Sequence, residues 1–240
     1  MRIITVDSYE QMSALAAEII CETVRSNPYA TLGLATGSTM LGTYAELIQA
    51  YNSGSLSFSN VKTVNLDEYL GLDSHHEQSY AYYMRSHLFD HIDIDMRNTF
   101  IPSGVAQDVN LECEQYDKLL DIIPRDLQLL GLGSNGHIAF NEPGTPFDSR
   151  TRVVELDHST IVDNSRFFAS IDDTPKQAIT MGIADIVCAE KLLLLASGIS
   201  KAQAVKAMVH GEMDVHCPAS ILRTHPDAMV IVDKLAASLL

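Results

Sequence analysis

Leu129-Leu130-Gly131-Leu132-Gly133-Ser134-Asn135-Gly136-His137-Ile138-Ala139-Phe140-Asn141-Glu142-Pro143-Gly144 starts as an apolar run and breaks into a glycine-rich turn. The turn carries an amide, an imidazole and a carboxylate within the eight residues from Asn135 to Glu142. The apolar run reads as a buried strand, and α/β proteins hold their ligands just beyond the carboxyl ends of such strands. The plainer reading is a turn whose histidine binds a backbone carbonyl. Gly131-x-Gly133-x-x-Gly136 also matches the dinucleotide fingerprint, and Glu155 lies 19 residues past Gly136. That fingerprint requires a crossover helix whose N-terminus holds the pyrophosphate. Pro143 and Pro146 leave no room for such a helix before the next strand, so a nicotinamide cofactor is not expected.

Strand and helix signals alternate on either side of this stretch. Strands are expected at Arg2–Val6, Thr31–Ala35, Val61–Leu66, Leu127–Gly133, Thr151–Leu156, Lys191–Ala196 and Ala228–Val232. Ser8-x-x-Gln11 reads as a capping box, followed by Met12, Leu15, Ala16, Ile19, Ile20 and Val24 at helical spacing. A second helix places Leu41, Tyr44, Leu47, Ile48 and Tyr51 on one face and ends near Gly54. Further helices are expected near Ser79–His91, Asn110–Ile122, Ser159–Phe168 and Ser200–Val209. The alternation predicts an α/β fold: a single-domain, Rossmann-like parallel sheet over residues 1–240, with helices on both faces. No repeat, linker or low-complexity segment interrupts it.

With 240 residues the chain is long enough for one substantial core. Its formal charge of -15, without a Lys/Arg-rich run, argues against nucleic acid as a partner. An anionic ligand would therefore need a local positive site. No apolar run reaches the ~18 residues needed to cross a bilayer. The opening Met-Arg-Ile-Ile-Thr-Val-Asp reads as a strand rather than a signal peptide. Cys21, Cys113, Cys188 and Cys217 are scattered and form no C-x-x-C pair, which suits free thiols in a reducing cytoplasm.

Several side chains fall where chemistry is expected. Thr36-Gly37-Ser38-Thr39, between a strand and a helix, offers free N–H groups, hydroxyls and a helix dipole to a phosphate; a plain Ser/Thr cap is the alternative. It lacks the lysine of a P-loop, which favours a phosphorylated metabolite over a nucleotide. Lys201 falls in a first helical turn, against the dipole, and so asks for an anion. Arg166 is a second candidate cation, and each of the two can equally be a surface charge. Asp67-Glu68 ends an apolar strand, where a desolvated carboxylate can act as general base and a solvated acidic turn is the alternative. His87-x-x-x-His91 has helical spacing for a metal pair, but no third ligand pattern supports it, and no metal is expected.

Leu34-Ala35-Thr36-Gly37-Ser38-Thr39, Asn65-Leu66-Asp67-Glu68-Tyr69 and the Gly131–Pro143 segment together resemble the signature segments of the glucosamine-6-phosphate deaminases. The resemblance continues through Ser149-Arg150-Thr151-Arg152, Asn164-Ser165-Arg166-Phe167-Phe168 and Pro218-Ala219-Ser220-Ile221-Leu222, so it spans essentially the whole chain. It implies conversion of glucosamine 6-phosphate and water to fructose 6-phosphate and ammonia, with a sugar phosphate as partner and no cofactor. By the same resemblance His137 opens the pyranose ring, Asn135 and Glu142 orient it, and Asp67 moves the C2 proton to C1. Thr36, Gly37, Ser38, Thr39, Arg166 and Lys201 then hold the phosphate. Many members carry aspartate where this chain has Asn135, although short bacterial members share the asparagine. Val154 replaces a lysine of the allosteric hexameric members. The valine favours the short, unregulated form, and a monomer or low-order homo-oligomer is expected. The related 6-phosphogluconolactonases, a non-catalytic sugar-phosphate sensor and a deaminase of galactosamine 6-phosphate are the rival readings. The presence of both Asp67 and His137 counts against the sensor.

Overall fold

A computed structural model describes residues 1–240. Ten strands and seven helices follow one another along the chain. The first half holds β1 (Arg2–Val6), α1 (Tyr9–Ser26), β2 (Thr31–Leu34), α2 (Leu41–Asn52), β3 (Lys62–Asn65), β4 (Asp67–Tyr69), α3 (Tyr80–His87), β5 (Thr99–Phe100) and α4 (Val109–Ile122). The second half holds β6 (Leu127–Gly131), β7 (Arg152–Glu155), α5 (His158–Ser165), β8 (Gln177–Thr180), α6 (Ile183–Ile186), β9 (Leu192–Ala196), α7 (Ala202–His210) and β10 (Ala228–Asp233).

Seven strands form a parallel sheet in the order β1-β10-β9-β6-β2-β3-β5. Every residue of β9 and of β2 is buried. Strands hidden on both faces read as unbroken apolar runs, which is why Leu192-Leu193-Leu194-Leu195-Ala196 shows no alternation. One core of 48 buried residues joins this sheet to its helices. Ser8 caps α1 by accepting from the Gln11 N–H at 3.4 Å. The Gln11 side chain answers at Asp7 N, at 2.9 Å, one residue earlier than a standard capping box.

The expectation of one parallel sheet needs a correction. The predicted strand at Thr151–Leu156 exists as β7, but it is antiparallel and belongs to a second sheet of order β4-β8-β7. The chain leaves the main sheet at Leu66, whose carbonyl accepts from Met181 N at 2.7 Å, and Asp67 then pairs with Thr180. An aromatic cluster supports this small sheet: the Tyr69 ring lies 4.8 Å from that of Tyr80, 5.6 Å from Phe140 and 6.0 Å from Phe168. Two predicted helices are also shorter than expected. α3 ends at His87 and gives way to a 3-10 turn at Phe89–His91, and α5 ends at Ser165. No helix lies between Gly131 and Arg152, as the prolines require.

Candidate active site

β2 and β6 are neighbours at the point where the strand order reverses. Beyond their carboxyl ends opens a cleft of about 530 Å³. Four strand ends meet there, Thr36–Thr39 after β2, Asp67 after β3, Gly131–His137 after β6 and Ser197–Lys201 after β9, and α5 closes one side with Thr160, Asp163 and Arg166. The turns after β2 and β9 are alike. Each has a glycine at positive φ (Gly37 at 103°, Gly198 at 92°) followed by a 3-10 turn that leads into a helix. Glycine adopts this φ without strain, and a helix start at a strand end offers unpaired N–H groups of the kind that suit an anion.

Lys201 and Arg166 supply the positive charge. Lys201 forms the N-cap of α7, and Arg166 ends α5 with Nη2 3.5 Å from Ser38 Oγ. Neither makes an ion pair within the chain. Burial holds the Lys201 ammonium below its usual range, and Arg166 pushes in the same direction while Asp163 opposes it. The half-buried Lys201 and the exposed Arg166, which also stacks over the Phe167 ring, give this edge of an acidic chain a local positive charge suited to an anion. Buried Asp233 shapes the lysine's turn by accepting from Ser197 Oγ at 2.5 Å and from Gly198 N at 3.0 Å.

Asp67 is buried at 6% exposure, yet no group of the protein hydrogen-bonds its carboxylate. Desolvation first, and the charge of Glu68 second, raise it to about 8. Its neighbour is used differently. Glu68 accepts from Tyr69 N at 2.9 Å, Tyr80 N at 2.8 Å and Ala81 N at 2.9 Å, and so ties the small sheet to the first turn of α3. Burial raises Glu68 to about 7 against the pull of those three donors. The Asp67-Glu68 pair is therefore one poised carboxylate beside one structural anchor, not a solvated turn.

His137 stands on the glycine-rich loop. Its Nδ1 lies 3.1 Å from Glu142 Oε2. A carboxylate at Nδ1 places the neutral ring's proton there and leaves Nε2 as the free base. Gly133 packs so close that a Cβ on it would sit 2.5 Å from the imidazole. The loop also holds Ala139 at φ 51°, a left-handed alanine. Asn135 Nδ2 donates to Glu142 Oε2 at 2.7 Å, and its Oδ1 accepts from His137 N at 3.2 Å. The expected orienting role of Asn135 is thus indirect. It steadies Glu142 and the histidine's backbone without touching the ring. Glu142 and Asn135 sit behind His137 and do not line the cleft, whereas Asp67, His137 and every residue of the phosphate group do.

Sequence reasoning named Glu68 without its anchoring role and missed three other supporting residues: Asp233, Tyr80 and Thr160. Thr160 Oγ1 donates to Glu142 Oε1 at 2.5 Å from across 18 residues. Each ring of the His87–His91 pair has a partner within its own segment. His87 packs edge-on against Tyr83, and the His91 ring bonds the Ser86 carbonyl.

Residues 6–231 match the family model of the glucosamine-6-phosphate isomerases and 6-phosphogluconolactonases. The chain belongs to this family. Within it, the deaminases are its near relatives. It is 52% identical to the glucosamine-6-phosphate deaminase of Clostridium perfringens strain SM101 and 53% identical to that of Bacillus pumilus, each match covering 100% of both chains. Its fold superimposes on a solved monomeric glucosamine-6-phosphate deaminase with a TM-score of 0.99 at 48% identity, again over 100% of each chain. A 6-phosphogluconolactonase from Trypanosoma brucei has a TM-score of 0.83 at 20% identity, which shows a shared fold.

Proposed function

We propose that Asp67, His137 and the two phosphate loops carry out the deaminase reaction in this cleft. The chain is a glucosamine-6-phosphate deaminase and converts glucosamine 6-phosphate and water to fructose 6-phosphate and ammonia. The observation that carries the assignment of roles is the pairing of a buried, unpartnered carboxylate with a carboxylate-backed imidazole in one cleft lined by two free cations.

The phosphate binds at Thr36–Thr39 with Arg166 and Lys201, and its binding energy fixes C1 and C2 over the reacting groups. His137 Nε2 takes the proton from O1 and returns one to O5, which breaks the C1–O5 bond and gives the open-chain aldehyde. Asp67 removes the proton from C2 while O1 takes one from the C2 ammonium group, which gives the enol, and Asp67 then delivers its proton to C1. The enol collapses to an imine at C2, water adds to that carbon, and the C2–N bond breaks to release ammonia. Asp67 must be ionised to begin. Its raised position near 8 makes it a strong base, and the substrate's C2 ammonium beside it favours the charged form.

The same reading extends to the whole molecule: one domain over residues 1–240, acting as a monomer in the cytoplasm. One 48-residue core, the monomeric relative and four free thiols support it, and no helix is long and apolar enough to cross a membrane. Ammonia release from glucosamine 6-phosphate and galactosamine 6-phosphate tests the proposal, beside acid release from 6-phosphogluconolactone, on wild type and Asp67→Asn. Turnover confined to glucosamine 6-phosphate and lost in the variant supports it. Full activity in the variant removes Asp67 from the mechanism.

A further inference from the structure

Helix α5 reaches the site at three points spaced three residues apart, all on one helical face. Thr160 Oγ1 donates to Glu142 Oε1 at 2.5 Å, Asp163 Oδ2 accepts from Ser134 Oγ at 3.2 Å, and Arg166 Nη2 lies 3.5 Å from Ser38 Oγ. The first contact is buried and the other two are exposed. Glu142 in turn holds the imidazole. One short helix therefore connects the phosphate cation to the carboxylate behind the ring-opening base.

We infer that Thr160 is a positioning residue for ring opening, through which helix α5 sets Glu142 and hence His137. This rests on the roles proposed above for His137 and Glu142. Glu142 has two oxygens to satisfy at 8% exposure. Oε2 receives Asn135 and His137, and Oε1 receives Thr160. Without the threonine hydroxyl, Oε1 is left as a buried acceptor with no donor, and the carboxylate gains by rotating or by taking up a proton. Either change withdraws the acceptor that orients Nδ1.

The surroundings leave few competing charges. His137 is the one titratable side chain that acts on the Glu142 carboxyl. Arg152 on β7 turns to Asn141 Oδ1 and Thr145 Oγ1, and Asp163 is engaged with Ser134. Burial alone would raise the Glu142 carboxyl, but the bonds from His137, Thr160 and Asn135 hold it below its usual range. Loss of Thr160 raises it, so activity is lost at a higher pH on the acid side.

The test compares Thr160→Val, which keeps shape and removes the hydroxyl, with Thr160→Ser, which restores the hydroxyl. Turnover of glucosamine 6-phosphate should fall about ten- to hundredfold in Thr160→Val, the range expected for one hydrogen bond to a charged group. Its acid limb should move up, Thr160→Ser should recover both, and binding of inorganic phosphate should stay within about threefold of wild type. A 13C titration of the Glu142 carboxyl gives a readout without turnover and should move up in Thr160→Val alone. Wild-type turnover and acid limb in Thr160→Val overturn the inference. So does equal impairment of the serine variant, which would mean the methyl group matters rather than the hydroxyl. A wild type that releases no ammonia overturns the underlying site reading instead, and the carboxyl titration then judges the Thr160 contact by itself.

Discussion

Asp67→Asn should make the protein more stable while it stops catalysis, and the gain should grow with pH. In the unfolded chain the carboxyl titrates near 3.8, and in the folded chain it is raised to about 8 by desolvation and by Glu68. Between those values the folded state binds more protons than the unfolded state, so stability falls as pH rises through the window. The penalty is absent below about pH 4 and complete above about pH 8. At about 1.4 kcal/mol per pH unit, the rise sets an upper bound of roughly 6 kcal/mol. The cleft is open to water, which raises the effective dielectric around the charge, and about 2 kcal/mol is the expected gain at pH 8.5. Asparagine avoids the charge, and because Asp67 has no partner in the protein, the substitution breaks no hydrogen bond. Urea denaturation at pH 5 and pH 8.5 measures the difference, and ammonia release should drop by on the order of a hundred- to ten-thousandfold. An asparagine variant less stable than wild type at pH 8.5, or a difference that does not change with pH, would refute the reasoning.

Other expectations follow from the same geometry. Gly133→Ala drives a methyl group into the His137 ring, so the protein should fold with a displaced imidazole; circular dichroism should be unchanged while kcat falls at least about tenfold. Asn135→Asp replaces the donor 2.7 Å from Glu142 with a second carboxylate, so one of the pair must hold a proton. The acid limb of its pH–rate profile should shift to higher pH, and an unchanged profile would remove Asn135 from the histidine's support. Lys201→Met removes one of the two free cations, and KM should rise on the order of tenfold or more with a smaller change in kcat; an unaltered KM would place the phosphate elsewhere.

The main sheet was legible because its central strands are buried on both faces and therefore print apolar runs such as Leu192–Ala196. The loops that follow those strands were legible for the same reason: once the strand ends are known, Thr36–Thr39, His137 and Lys201 fall at the ligand-binding edge. The small sheet was not legible. β4 is three residues long and begins with two acids, and its pairing partner β8 lies more than 100 residues away. Neither β4 nor β8 has the periodicity of a half-buried strand, so β7 was located and then assigned to the wrong sheet. Thr160 shows the same limit on the scale of one side chain. Its hydroxyl matters because of where α5 is laid across Glu142, and no local spacing around residue 160 carries that information.

The two sheets divide the labour in a way that bears on how this fold can change its chemistry. On the site roles proposed above, the parallel sheet presents the imidazole and the Thr36–Thr39 and Lys201 turns from the large core, and Arg166 joins them from the end of α5. Asp67, the proposed base at C2, sits instead at the start of a three-stranded sheet with its own core of four buried residues. A lineage can rebuild the small sheet and its aromatic packing, and so swap the group proposed to meet the sugar's second carbon, while Thr36–Thr39, His137 and Lys201 stay anchored on the large core. The shared architecture of deaminases and lactonases is what such a modular partition would leave behind: a constant handle with an exchangeable tool.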